Sequence, residues 1–224
     1  MSVYTIVINN RSPKDRSFNI YTEPPNADKS PSTRYGNIFR RSSMTAAKTG
    51  QTTFKIQKRP FAIVSTTEGS LEYGNSVYTS QMEEVNLGSP TQKATVLHVE
   101  YKNRSAKITG KREAEKLNDP PGGFVISTGS FEPPTNNFRI GLGADCHGEN
   151  IPLSVFIPRP NNIYNIFPVK KFYVVVDGDL LPGQTISVEP SSTKVQILDF
   201  GTAETDTFVL DYTESGEFKI KTNS

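Results

Sequence analysis

The chain has 224 residues, one cysteine, no tryptophan and a formal net charge of +2. That length can bury roughly 70% of the surface an unfolded chain exposes, so the fold needs no metal or disulfide staple. A single cysteine, Cys146, excludes an intrachain disulfide, and a charge this small excludes an argument for nucleic acid.

Val3–Ile8 is apolar on both faces and predicts a strand covered on both sides. Asn9–Asp15 is a turn cluster, and Ser17–Thr22 then alternates with period two. Pro24-Pro25 ends that strand, and the polar segment Asn26–Thr33 reads as a loop. Strands follow near 37–40, 52–57, 61–66 and 76–81, and Lys93–Tyr101 is the longest alternating candidate. Lys107–Lys111 is another strand. Residues 111–117, KREAEKL, are rich in helix formers and predict one short helix, stopped by Asn118-Asp119-Pro120-Pro121-Gly122-Gly123.

Further strands are predicted at 124–128, 137–142, 154–157, 163–166, 171–176, 185–188, 193–198, 207–211 and 217–221. Between Ile151 and Val176, three apolar runs are broken by Pro158-Arg159-Pro160-Asn161-Asn162 and by Pro168. Strands at spacings of about 8–12 residues with turns between them predict an all-β fold. The expected form is an antiparallel two-sheet sandwich, jelly-roll-like, or a flattened barrel. The chain reads as one β-domain over 1–224. Two halves, 1–119 and 120–224, are the alternative division.

Charge is unevenly spread. Residues 1–60 hold 11 Lys/Arg against 3 Asp/Glu, whereas residues 120–224 hold 7 against 12. Basic N-terminal strands are expected to pair with acidic C-terminal ones, or to form a patch that draws an anionic ligand. No basic segment followed by an apolar stretch opens the chain, and no apolar run approaches a membrane span. A reducing, cytoplasmic location without membrane contact is expected.

Recognisable reaction motifs are missing. His98 sits in an alternating run with Val96 and Glu100 on its face, and reads as a sheet residue. Asp145-Cys146-His147-Gly148-Glu149 lacks the ligand spacing of zinc or calcium sites and the third group of a cysteine nucleophile. Gly141-x-Gly143 lacks the third glycine of a dinucleotide fold. Asp177-Gly178-Asp179 reads as a turn. No metal or cofactor is expected. If a pocket exists, its polar groups are sought among Tyr21 with Glu23, Arg34 with Tyr35, Arg139, and Arg159 with Tyr164.

One resemblance stands beside this reading. Phe156-Ile157-Pro158-Arg159-Pro160-Asn161-Asn162-Ile163-Tyr164-Asn165-Ile166-Phe167-Pro168, with Lys171-Phe172-Tyr173-Val174, resembles a group of small fungal all-β proteins. Ile197–Gly201, Val7–Asn10 and Phe18–Tyr21 look similar too. The resemblance implies a cofactor-independent enzyme of fungal secondary metabolism, with hetero-Diels–Alder cyclisation of a quinone methide as one such activity. It carries over no catalytic residue. A pericyclic step needs chiefly a near-attack pose, worth on the order of 7–11 kcal/mol, so a lack of motifs is compatible with it. A small-molecule substrate is the expected partner. A non-catalytic sandwich that binds carbohydrate or another ligand is the alternative, and a structural protein using its basic N-terminal third is a further one.

Overall fold

A computed structural model describes residues 2–27, 35–67, 69–103, 105–132, 137–146, 148–186 and 195–221. Among them the chain is entirely β. The strands are β1 (Val3–Asn10), β2 (Phe18–Thr22), β3 (Asn26–Ala27), β4 (Tyr35–Arg41), β5 (Gln51–Gln57), β6 (Phe61–Thr67) and β7 (Val77–Glu84). Next come β8 (Lys93–Lys102), β9 (Ser105–Leu117), β10 (Phe124–Thr128), β11 (Phe138–Cys146) and β12 (Glu149–Phe156). The last are β13 (Ile163–Phe167), β14 (Lys171–Val176), β15 (Thr185–Ile186), β16 (Val195–Asp199), β17 (Thr207–Tyr212) and β18 (Phe218–Ile220).

These strands build a sandwich of two layers from three sheets, none closed into a barrel. One layer is a nine-stranded sheet in the order β16-β14-β2-β4-β12-β11-β6-β7, with β15 paired to β4. The other layer is two smaller sheets side by side, β18-β17-β1-β5 and β3-β13-β10-β8-β9. The large sheet draws strands from both sides of residue 119.

Alternation explains the two cores. The four-stranded sheet presents Tyr4, Ile6, Ile8, Phe54 and Leu210 to Phe18, Ile20, Phe172 and Val174 of the large sheet. The five-stranded sheet presents Leu97, Val99, Phe124, Ile126 and Tyr164 to Val64, Phe138, Ile140 and Phe156. β11 supplies both, with Ala144 in the first core and Phe138, Ile140 and Leu142 in the second. The outer face of the large sheet is covered separately, by Leu180 over Tyr21, Ile38 and Tyr173 and by Leu71 beside Ile63 and Val155.

Five expectations need correction. The helix at 111–117 is the second half of β9, paired with β8 in the register Thr95↔Glu113 and Lys93↔Leu117. Only Ala114 and Leu117 are apolar there, so a helix would have had no stripe to bury, and pairing overrode propensity. The sandwich is not wholly antiparallel, since β1 pairs parallel with β17 and β10 parallel with β8. The smaller layer is two sheets rather than one. In β1 only Tyr4, Ile6 and Ile8 enter the core, and Val3, Thr5 and Val7 are half-buried. Asn26–Ala27, read as loop, is a two-residue strand against β13; residues 28–34 lie outside the described residues.

Candidate ligand seam

Two small sheets lying side by side on one large sheet leave a seam between them, and three connections cross it. Lys58-Arg59-Pro60 carries the chain from β5 in the four-stranded sheet to β6 in the large one. Residues 85–92 link β7 of the large sheet to β8 of the five-stranded sheet, and Pro168-Val169-Lys170 links β13 to β14. The floor of the seam is a β-bulge. Leu142 opposes Ser154 and Gly143 opposes Pro152, so Leu153 is left without a partner in the ladder. A bulge re-aims a side chain and bends its strand. Leu153 accordingly packs against both cores.

An apolar pocket of about 90 Å³ opens there, lined by Tyr4, Ile56, Phe61, Leu87, Leu142, Ala144, Leu153 and Phe172 among others. Its deeper walls are mainly apolar, and its charged groups lie at the mouth. Its mouth shares Gln57, Lys58, Arg59, Pro60 and Leu87 with a more open cleft of about 380 Å³ that also reaches Ser2, Glu84, Asn86 and Gln92.

Cations ring the mouth. Lys58 Nζ lies 4.8 Å from the centre of the Tyr4 ring and 2.5 Å from an Asp206 carboxylate oxygen. Burial pushes the Tyr4 phenol up, partly offset by the Lys58 charge. Arg59 Nη1 donates to Glu84 Oε2 over 2.9 Å. Lys170 is exposed, lines the same pocket and makes no ion pair among the described residues. The exposed Arg59–Glu84 pair contributes only about 0–1 kcal/mol, and the Lys58–Asp206 pair, half-open to solvent, is also screened, so both cations can exchange their carboxylates for a ligand anion at small cost. Apolar walls under a cationic mouth suit a molecule with an apolar end and an anionic or hydrogen-bond-accepting head.

The residues singled out from the sequence lie elsewhere. Tyr21, 2% exposed, stacks on Tyr173 on the outer face of the large sheet, with ring centres 4.9 Å apart. Burial, with the neighbouring Tyr173, pushes its phenol up to about 12. Arg139 is 3% exposed, and donates to the Phe138 carbonyl at 2.7 Å and the Gly69 carbonyl at 3.2 Å. Desolvation lowers its pKa, opposed by the nearby Tyr101 and Tyr35 phenols. Tyr35 is half-buried, and its carbonyl accepts from Ser154 Oγ. Arg159 and Tyr164 are brought together, with the Arg159 amide donating to the Tyr164 hydroxyl over 2.6 Å. Arg34 lies outside the described residues. Glu23 pairs with Lys171 over 3.0 Å, and none of the six described residues lines the seam pocket.

Tyr4, Lys58, Arg59 and Lys170 went unnoticed in the sequence. Their only signal was a pair of short connectors joining proline to lysine or arginine, which look the same as ordinary surface turns. His98 is a half-buried sheet residue, with Nδ1 3.0 Å from Ser127 Oγ. Cys146 ends β11 and accepts from Arg40 Nε at 2.9 Å, whereas His147 lies outside the described residues. Among the described residues no three His, Cys, Asp or Glu side chains gather as a metal site, and no helix is long and apolar enough to cross a membrane.

The fold and seam define an all-β sandwich protein with a small amphipathic cleft at a junction of three sheets. More particularly, the chain belongs to the RhiA family, whose model matches residues 1–223. Neither a curated protein nor a solved structure matches it.

Proposed function

We propose that this RhiA-family protein binds a small amphipathic molecule, seating an apolar tip in the seam and an anionic or accepting head against Lys170, Lys58 and Arg59. The observation that carries the reading is the apolar pocket at the Leu142/Gly143 bulge, opening under three cations. The resemblance to fungal secondary-metabolite proteins supports a ligand drawn from that chemistry. A hetero-Diels–Alder cyclase would have to enclose both a quinone methide and its alkene. Sites that enclose a whole small molecule run to roughly 300 Å³ or more. The seam pocket of about 90 Å³ accepts one end of one molecule, and the 380 Å³ cleft beside it is open to solvent. Binding is therefore better supported than cyclisation.

Calorimetry with isovalerate, a branched apolar tip on a carboxylate, tests this. Wild-type protein binds it. Ala144→Leu, which fills the pocket, abolishes the heat, and Lys170→Ala weakens binding by roughly tenfold, about 1.4 kcal/mol. Wild-type protein without heat, or Ala144→Leu binding as well as wild type, would overturn the proposal.

A further inference from the structure

The solvent face of the five-stranded sheet carries three apolar side chains beside the polar Ser127 and Asn165, where alternation leads one to expect polar side chains throughout. Val96 of β8 and Val125 of β10 are register partners, and Ile163 of β13 sits opposite Ser127 of β10. Val96 and Val125 are half-buried, whereas Ile163, the first residue of β13, is 58% exposed. Together with Ser127 and Asn165, the three floor a trough of about 280 Å³. Its walls are charged. Arg112, opposite Val96, and Glu115 come from β9, and Asp119 comes from the turn that follows. Between Arg112 and Glu115, Ala114 is too small to fill the space.

The charges on these walls are unpaired. Arg112, Glu115 and Asp119 are all exposed, and none makes an ion pair among the described residues. Arg112 Nη1 donates to the Glu113 carbonyl at 3.3 Å, which leaves most of its five donors available. Opposite charges that line one trough yet do not reach one another are complementary to a molecule carrying both charges. The apolar side chains on the floor between them ask for an apolar group on that same molecule. A volume just under the usual small-molecule range limits its size.

We propose that this trough binds a free α-amino acid with an apolar side chain. Its carboxylate meets Arg112, its ammonium lies between Glu115 and Asp119, and its side chain covers Val96, Val125 and Ile163. A peptide fits less well, because its two terminal charges are not on one carbon. The inference is independent of the seam reading and uses none of its residues.

Methyl-resolved NMR on the full chain tests it, with L-leucine as the probe and the Val96, Val125 and Ile163 methyls as the readout. L-leucine shifts these methyls in a saturable way. Isocaproate, which lacks the ammonium, and isoamylamine, which lacks the carboxylate, each bind at these methyls at least roughly tenfold more weakly. Arg112→Gln weakens L-leucine by a similar factor, and the exposed position keeps the variant folded. Ala144→Leu, which closes the seam, leaves the response unchanged. The proposal is overturned if L-leucine leaves the three methyls unmoved, or if either singly charged analogue binds at them as tightly as L-leucine.

Discussion

Tyr164 shows how one hydroxyl can hold a turn. The side chain is fully buried and its ring packs edge-on against Phe156 at 5.2 Å. Its hydroxyl accepts the Arg159 amide, while Thr128 Oγ1 donates to the Arg159 carbonyl at 2.7 Å. Both polar groups of the Arg159 backbone are thus satisfied by side chains from the five-stranded sheet. Tyr164→Phe strands the amide and should cost about 1–3 kcal/mol in urea unfolding, with an unchanged m-value. Tyr21 makes a second prediction. Its phenol stays protonated up to about 12 in the fold, against 10.0 for an ordinary tyrosine. Between those values the unfolded chain has lost the proton and the native one keeps it, so stability falls as pH rises through that window. Ultraviolet titration should show an ionisation step near 12 that Tyr21→Phe removes.

At the scale of strands, the glycines of β11 matter most where a neighbouring backbone comes close. A Cβ at Gly141 would lie 2.0 Å from the Ser154 carbonyl oxygen and 2.9 Å from Val155 Cα, and neither can move without displacing β12. Gly141→Ala should therefore destabilise by about 1–3 kcal/mol or more. A Cβ at Gly110 meets only His98 Cβ, at 3.4 Å. Gly110→Ala should be neutral or stabilising by up to about 1 kcal/mol, because glycine inside a strand is entropically costly. Thermal unfolding of the pair separates backbone crowding from a general effect of added methyl groups.

Strand interiors were legible in the sequence because period-two alternation is a local property. The expected 124–128 and 171–176 coincide with β10 and β14, and Lys93–Tyr101 falls one residue short of β8. The charged end of β9 and the Glu149-Asn150 start of β12 were not legible, since pairing with β8 and β11 holds them in place rather than a pattern of their own. The parallel pairs were hidden for the same reason. The seam was hidden because it exists only where connectors change sheets, and nothing in Lys58-Arg59-Pro60 says which sheet comes next.

Over the whole molecule, the uneven charge resolves in part into pairing between the two halves of the chain. Arg11 meets Asp211, Arg16 meets Asp177 and Lys58 meets Asp206. The parallel β1–β17 pair binds those halves together through the same region. Asp211 concentrates the effect. Burial pushes its carboxyl up, but hydrogen bonds from Asn9 and Lys221 and the charges of Lys221 and Arg11 outweigh this and hold it below the usual range. Its contribution is present above the unfolded carboxyl pKa and is lost as pH falls through the depressed native value. Asp211→Asn should lower stability at neutral pH and flatten the acid limb of the stability curve, as measured by denaturation from neutral to low pH.

The seam of the RhiA-family sandwich is proposed to take the apolar tip of a small amphipathic anion. The most direct measurement is a methyl NMR titration of the full chain with isovalerate. Saturable shifts at Leu87, Leu142 and Leu153, with Val96 and Val125 unmoved, are the predicted result. Seam methyls that stay in place while the ligand saturates another surface, or that never respond, would contradict it.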